Sequence, residues 1–100
     1  NYNNSASASF YNSTGGWHWD SNMQFHGSVL PWTDANLNLG SSSKRWNNIY
    51  TTDLHLSNKG SQNTVDGSWG DWTLQEGEDE IFMINNRNGK KYALTMREIT

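Results

Sequence analysis

Several features that often identify a protein's class are missing from this 100-residue chain. Cysteine is absent, which excludes disulfide bonds and thiolate metal sites. The chain has one proline, no run of basic residues and no apolar stretch long enough to span a membrane. Its formal net charge is −3. We therefore expect neither nucleic acid as a partner nor insertion into a membrane.

Hydrophobic residues are also scarce, at 33% of the chain, and about a third of the residues are Asn, Ser or Thr. This composition favours turns and extended backbone over helices. The apolar residues that are present include six Trp, four Tyr and three Phe. A single 100-residue globule buries too little surface to hide so many large rings. The composition therefore predicts an obligate homo-oligomer.

The organisation along the chain indicates one module over residues 1–100, in four parts. These parts are a polar linker or extended segment at 1–16, an aromatic hairpin and bend at 17–35, a motif with a strand at 36–58, and a β-hairpin region at 59–100. The first residue is Asn rather than Met. The chain is therefore either a processed product or the ordered part of something longer, and we expect the second.

Alternating side chains in residues 17–26 favour a β-hairpin. Trp17, Trp19, Met23 and Phe25 share one parity, and polar residues occupy the other. A turn over residues 20–22 would bring the two halves together, because Asp, Ser and Asn favour turns. Further on, the lone proline, Pro31, predicts an edge or a bend.

The segment 36–58 predicts a strand, a helical turn and a second strand. Leu37 and Leu39 alternate with Asn before Gly40 and three serines. Spacing at i, i+3 and i+4 places three apolar side chains on one face of a short helical turn near 43–50, with Ser42 or Ser43 as its N-cap. The three apolar residues are Trp46, Ile49 and Tyr50. The strand that follows has Leu54 and Leu56 on one side and Asp53, His55 and Ser57 on the other.

The C-terminal region predicts a loop at 59–68, a strand with Trp72 and Leu74, an acidic turn at 76–80 and a final hairpin. Asn88-Gly89 is a strong signal for a two-residue type I′ turn. Centring the hairpin there sets the expected cross-strand pairs. These pairs are Asn85 with Tyr92, Met83 with Leu94, Ile81 with Met96, and Glu80 with Arg97. The overall fold class is therefore predicted to be all-β.

The segment GGWHWDSNMQFHG…LPWTDANLNLGSSSKRWNNIYTTDLHLSN resembles a stretch of bacteriophage tail-fibre and tailspike proteins. The most specific part is an LGSSS-x-RW-x-x-IY element. Here it is matched by Leu39, Gly40, Ser41, Ser42, Ser43, Arg45, Trp46, Ile49 and Tyr50. The following GSWGDWTLQEGEDEIFMINNRNGKKYALTM is similar to the C-terminal part of such fibres, so the resemblance covers about residues 15–99.

The resemblance implies an elongated, intertwined homotrimer located in the virion, in a tail fibre or another surface appendage. Its other partners would be fibre or baseplate proteins. Five residues would then pack between the three chains. These are Trp46, Ile49, Tyr50, Leu37 and Leu39.

For the histidines, acidic residues and serines we expect no catalytic or metal-binding role. His18, His26 and His55 are expected to face solvent or to form local hydrogen bonds, with a threefold metal site as the alternative. The acidic residues at 76–80 are expected to form a solvated turn rather than a calcium or glycosidase site. No nucleophile motif accompanies the many serines. We therefore expect no catalytic residue, no metal and no cofactor.

The tryptophans beside loops are the candidate ligand-binding residues, because loops concentrate binding function. They are Trp32, Trp69 and Trp72. The sequence thus favours a non-enzymatic structural component of a phage fibre that contributes to host attachment. The alternative is a carbohydrate-binding module at the receptor-recognition tip, and a fragment of a glycan-active enzyme is a third, weaker hypothesis.

Overall fold

A computed structural model describes residues 20–100. The chain divides into two units, Asn1–Leu39 and Gly40–Thr100. In the first unit, residues 20–39 form bends and turns without a helix or a strand. A turn over residues 34–36 follows Pro31, and Ala35 adopts a left-handed conformation there with φ of 56°. The regular structure of the described residues therefore lies in the second unit.

The second unit contains a four-stranded antiparallel sheet in the order β1-β2-β3-β4. The strands are β1 (Leu54–Ser57), β2 (Asp71–Glu76), β3 (Ile81–Asn85) and β4 (Lys91–Ala93). Each strand pairs with the next along the chain, so the sheet is a simple meander. No helix occurs anywhere in residues 20–100, and hence none that could cross a membrane. The prediction of an all-β fold is confirmed for these residues.

The turn between β2 and β3 lies where the acidic residues predict it. Glu76 pairs with Ile81, and the Gly77 N–H donates to the Glu80 carbonyl at 2.7 Å. The ring of Phe82 lies over Gly77, where a Cβ would approach within 2.5 Å of Phe82 Cε2. A glycine at this position therefore allows the turn and the aromatic ring to pack together.

The β3–β4 hairpin is present, but the expected register is wrong by two residues. Met83 pairs with Tyr92 rather than Leu94, and the same offset separates Glu80 from Arg97. Asn85 and Lys90 close a four-residue loop over 86–89. Gly89 has φ of 77°, but Asn88 does not have the positive φ that a type I′ turn requires.

The shifted register is explained by hydrogen bonds between the start of the β3–β4 loop and β2. The Asn86 N–H donates to the Asp71 carbonyl at 2.7 Å, and the Asn86 side chain donates to Asp71 Oδ1 and Thr73 Oγ1. These bonds hold Asn86 against β2 and start the loop there. Because the shift is even, every side chain keeps its expected face.

One side of the sheet is apolar. Cross-strand partners share a face, and alternate residues along a strand do too. Leu94 extends the pattern past β4, since its N–H donates to the Ile81 carbonyl at 2.9 Å. We call this side the apolar face; it consists of Leu54, Leu56, Trp72, Leu74, Ile81, Met83, Tyr92 and Leu94.

The opposite side is held by polar contacts near β1 and β2. Thr73 Oγ1 lies 3.0 Å from His55 Nδ1, and Asn86 donates to the same hydroxyl at 2.9 Å. Gln75 donates to Asp53 Oδ2 at 3.2 Å. His55 therefore forms a local hydrogen bond, as expected.

The sheet is a single layer without a core of its own. Within the described part of the chain, the only buried residue is Thr73, and no hydrophobic side chain is buried. Stable domains normally pack a second layer against an apolar sheet face. On the apolar face, by contrast, Leu54, Leu56 and Tyr92 are each nearly half exposed.

Three expectations for the region before the sheet are wrong. Residues 43–50 form no helical turn: Ser41 and Lys44 exchange two backbone hydrogen bonds, and Ser41 Oγ accepts from the Lys44 N–H. A single helical turn gains too few bonds to offset its nucleation cost. Residues 37–39 form no strand, and neither do residues 22–25. Trp17 and Trp19, the other half of the predicted hairpin, lie outside the described residues.

Candidate functional site

A groove lies at the end of the sheet where β1 leads through the loop 58–70 into β2. Asn58 closes this loop at its base. Its backbone N–H donates to the Gly70 carbonyl at 3.3 Å, and its side-chain Oδ1 accepts from the Gly70 N–H at 2.8 Å. A polar loop of this kind can thus hold a defined shape without burying apolar residues.

A second set of bonds organises the middle of the loop. The Asn63 side chain accepts from the N–H groups of Val65 and Asp66 and donates to the Ser68 carbonyl at 2.9 Å. Asp66 Oδ1 accepts from the Ser68 hydroxyl at 2.7 Å, the Ser68 N–H at 3.0 Å and Asn63 Nδ2 at 2.9 Å. These bonds, led by the Ser68 hydroxyl, lower the pKa of Asp66 from 3.8 to about 2.

Trp69 and Arg87 form one wall of the groove. The Arg87 guanidinium carbon lies 3.8 Å from the centroid of the Trp69 ring, and Nη1 donates to the Trp69 carbonyl at 3.0 Å. The Arg87 N–H also donates to Asn85 Oδ1 at 2.9 Å. The guanidinium group is thereby held over the indole by a cation–π contact and by its hydrogen bond to the Trp69 carbonyl.

Trp72 forms the floor where the groove meets the apolar face. Its ring centroid lies 5.8 Å from that of Tyr92, with the planes inclined by 43°. On its other side the indole packs on Gly70, where an added Cβ would lie 3.0 Å from Nε1. Gly70 therefore leaves the space that the Trp72 ring occupies.

The groove has a volume of about 690 Å³, within the range of ~300–1,000 Å³ common for ligand sites. Its lining combines two indoles, amide and hydroxyl groups and one cation, and it contains no carboxylate. The lining residues are His55, Leu56, Ser57, Asn58, Asn63, Ser68, Trp69, Gly70, Trp72, Asn85 and Arg87. An arrangement of flat indoles beside hydrogen-bonding groups suits a sugar ring.

The structure brings together two of the three predicted ligand-binding residues, Trp69 and Trp72. Trp32 belongs to the other unit and is 93% exposed. Arg87 was not predicted as a site residue. Its place in the groove depends on the loop 86–89 starting two residues earlier than Asn88-Gly89 suggests, so no local signal in the sequence identifies it.

The LGSSS-x-RW element continues into the second unit, where residues 40–46 form a surface, the LGSSS-x-RW surface, that does not line the groove. Gly40 has φ of 87°, and an added Cβ there would lie 3.3 Å from both the Lys44 carbonyl oxygen and Trp46 Cδ1. Trp46 thus folds back on Gly40, yet it remains 63% exposed. Ile49 and Tyr50 are more exposed still.

The other two residues predicted to pack between chains, Leu37 and Leu39, belong to the first unit. They are 56% and 79% exposed. The structure of the single chain therefore places none of the five predicted packing residues in an intramolecular core.

The titratable side chains of the described residues form no cluster that could bind a metal ion. Between residues 20 and 100, no three His, Asp or Glu side chains are grouped so that they could hold a metal ion. His26 is exposed, and His18 lies outside the described residues.

Comparison with known proteins identifies no relative. No protein-family model matches the chain, and neither a curated protein nor a solved structure does. Any function must therefore be inferred from the apolar face, the LGSSS-x-RW surface and the groove themselves.

Proposed function

We propose that this chain is a structural component of a phage virion fibre, assembled as a homotrimer and contributing to host-surface attachment. Its further partners would be other fibre or baseplate proteins, and its role would be non-enzymatic. The observation that carries the proposal is the apolar face of a single-layered sheet, on which no hydrophobic side chain is fully buried. Such a face requires a partner.

The free energy available from covering this face is large. A leucine that is half exposed leaves roughly 80 Å² of apolar surface, and covering it contributes about 2 kcal/mol. Leu54, Leu56, Tyr92 and Leu94 are 41–49% exposed. Together they offer several kcal/mol, a large fraction of the stability of a small domain.

Further copies of the same chain are the partner that best fits these surfaces. Residues 40–50 expose Trp46, Ile49 and Tyr50 in the same unit, so each copy carries two apolar surfaces. Pairing with other copies would also cover the two edge strands of the sheet, β1 and β4, which otherwise offer open hydrogen-bonding groups. The resemblance of the LGSSS-x-RW-x-x-IY element to fibre proteins supports three copies.

A charge placed on the apolar face tests the proposal. We expect Leu54→Lys to convert a trimer into a monomer in sedimentation experiments, because the ammonium group would be buried between chains. Val65→Lys is the matched control, since Val65 is 93% exposed in the loop 58–70. A Leu54→Lys variant that keeps the assembly state of the unmodified chain would contradict the proposal.

The groove favours a second candidate function, carbohydrate recognition at the receptor-binding tip of such a fibre. Trp69 and Trp72 offer indole rings beside Asn58 and Asn85. We expect Trp69→Ala to abolish binding to host-surface glycans without changing the circular dichroism spectrum of the sheet. Unchanged glycan or cell binding by this variant would count against the second function.

A further inference from the structure

The charge of the groove differs from that of the whole chain. The chain has a formal net charge of −3, but Arg87 is the only formally charged residue among the lining residues. The nearby carboxylate of Asp66 is not part of the lining, and its Oδ1 already accepts three hydrogen bonds from Asn63 and Ser68. Arg87 therefore places a cation in the groove lining of a protein whose net charge is negative.

Arg87 also retains capacity to bind an anion. Within residues 20–100 its guanidinium donates one hydrogen bond, to the Trp69 carbonyl. Four of its five N–H groups thus remain for a ligand. The contact with the Trp69 ring at 3.8 Å orients the planar guanidinium group before a ligand binds. Little side-chain freedom of Arg87 is therefore lost on binding.

From these observations we propose that the groove binds an acidic saccharide. A sugar ring contacts the parts of Trp69 and Trp72 that line the groove, since Arg87 already covers one face of the Trp69 ring, and the anionic group of the sugar accepts hydrogen bonds from Arg87. Asn85 also lines the groove, and its Oδ1 accepts a hydrogen bond from the Arg87 N–H. This inference rests on the proposed role in host-surface attachment and specifies the class of receptor.

The ligand and the assembly surface can be separated on the sheet. The groove is lined by the Leu56–Trp72–Asn85 row at the end of the sheet. The next row on the apolar face is Leu54–Leu74–Met83–Tyr92, none of which lines the groove. Leu56 and Trp72 thus belong to both surfaces, whereas Trp69 belongs to the groove alone.

Titration calorimetry of the full chain with trigalacturonate tests the proposal, and the methyl ester of the same trisaccharide is the neutral control. We expect the acid to bind and the ester to bind about tenfold or more weakly. Arg87→Gln should lower the affinity for the acid by a similar factor. Arg97→Gln is the matched control because Arg97 is not a lining residue, and it should leave the affinity unchanged.

The anionic group could be a carboxylate or a sulfate, so sulfated maltotriose and plain maltotriose form a second arm. Binding of the sulfated sugar alone, with the same dependence on Arg87, would support the proposal and identify sulfate as the anion. The proposal would be overturned by equal binding of each acid and its neutral control, by an Arg87→Gln variant that binds like Arg97→Gln, or by dissociation constants above about 10 mM for both acids.

Sedimentation of the same samples separates the two proposals. A trimer that binds neither acidic sugar would overturn the ligand assignment and leave the fibre assembly intact. A monomer that binds trigalacturonate through Arg87 would overturn the trimeric fibre and leave the ligand assignment intact.

Discussion

Residues 40–50 and the sheet over residues 54–94 are both rich in apolar side chains. Only the sheet is held by strand pairing within the chain. In the sheet, Trp72 contacts the Tyr92 ring and the backbone of Gly70. In residues 40–50, the backbone–backbone hydrogen bonds are confined to the Ser41–Lys44 turn, and Trp46 remains 63% exposed. The sheet therefore has strand pairing but lacks a cover, whereas residues 40–50 have neither strand pairing nor a cover.

This difference indicates where the stabilising partners must act. Strand pairing satisfies the backbone groups of the sheet, so other copies need only cover the apolar face. Residues 40–50 have fewer internal contacts, so their conformation depends more strongly on contacts with other copies. Four substitutions test this contrast, beginning with the largest expected effect.

Trp46→Ala should remove the assembly without unfolding the sheet. The indole is the largest apolar side chain of residues 40–50 and is 63% exposed, and its loss removes an anchor from each of three chains. We expect sedimentation to give a monomer, while hydrogen exchange still protects the β2–β3 pair. Trp32→Ala is the control, and it should remain trimeric. A Trp46→Ala variant that is still a trimer would contradict the assigned role of this surface.

Gly77→Ala should instead act on the sheet itself. An added Cβ would lie 2.5 Å from Phe82 Cε2, so either the turn or the ring must move. We expect the free energy of unfolding to fall by about 1–3 kcal/mol, measured by urea denaturation. Gly27→Ala, where a Cβ would meet nothing within 4 Å, should have little effect. Equal stability of the two variants would contradict the packing of Phe82 over the turn.

Gly40→Ala and Gly60→Ala form a matched pair, because both glycines have φ of 87°. Each alanine should cost about 1 kcal/mol of backbone strain. Only at Gly40 does the added Cβ also meet Trp46, so only Gly40→Ala should weaken trimer formation. Equilibrium sedimentation at several concentrations measures this difference. Identical association constants would argue against a structural link between Gly40 and Trp46.

The pH dependence of the loop should be the smallest effect. Because the pKa of Asp66 is lowered from 3.8 to about 2, its ionised form favours the folded state at higher pH. That contribution is present above pH 3.8 and is lost as the pH falls through about 2. Thermal unfolding between pH 5 and pH 2, in steps, should show a smaller decrease for Asp66→Asn than for the unmodified chain. An identical decrease would contradict the assigned hydrogen bonds.

Sequence patterns predicted the sheet better than the region before it. Alternation in Leu54 to Leu56 and Trp72 to Leu74 identified strands because each face of a strand repeats every two residues. The same pattern at Leu37 and Leu39 was misleading, since in the structure no strand pairs with these residues. Local alternation does not specify whether a pairing partner exists.

The candidate site was only half predictable for a related reason. Trp69 and Trp72 were identified because they flank a loop, but their joint groove requires the β1–β2 pairing. Arg87 enters the groove because Asn86 bonds to β2 and starts the hairpin loop earlier than the Asn88-Gly89 signal suggests. Such contacts between three strands cannot be deduced from one two-residue turn signal.

The central claim is that further copies of the chain cover the apolar face and residues 40–50. Native mass spectrometry of the unmodified chain tests this claim most directly, at protein concentrations from about 1 to 100 μM, a range that spans weak to tight association. The account predicts a dominant species with three times the mass of the chain across this range. A folded monomer at every concentration would contradict it.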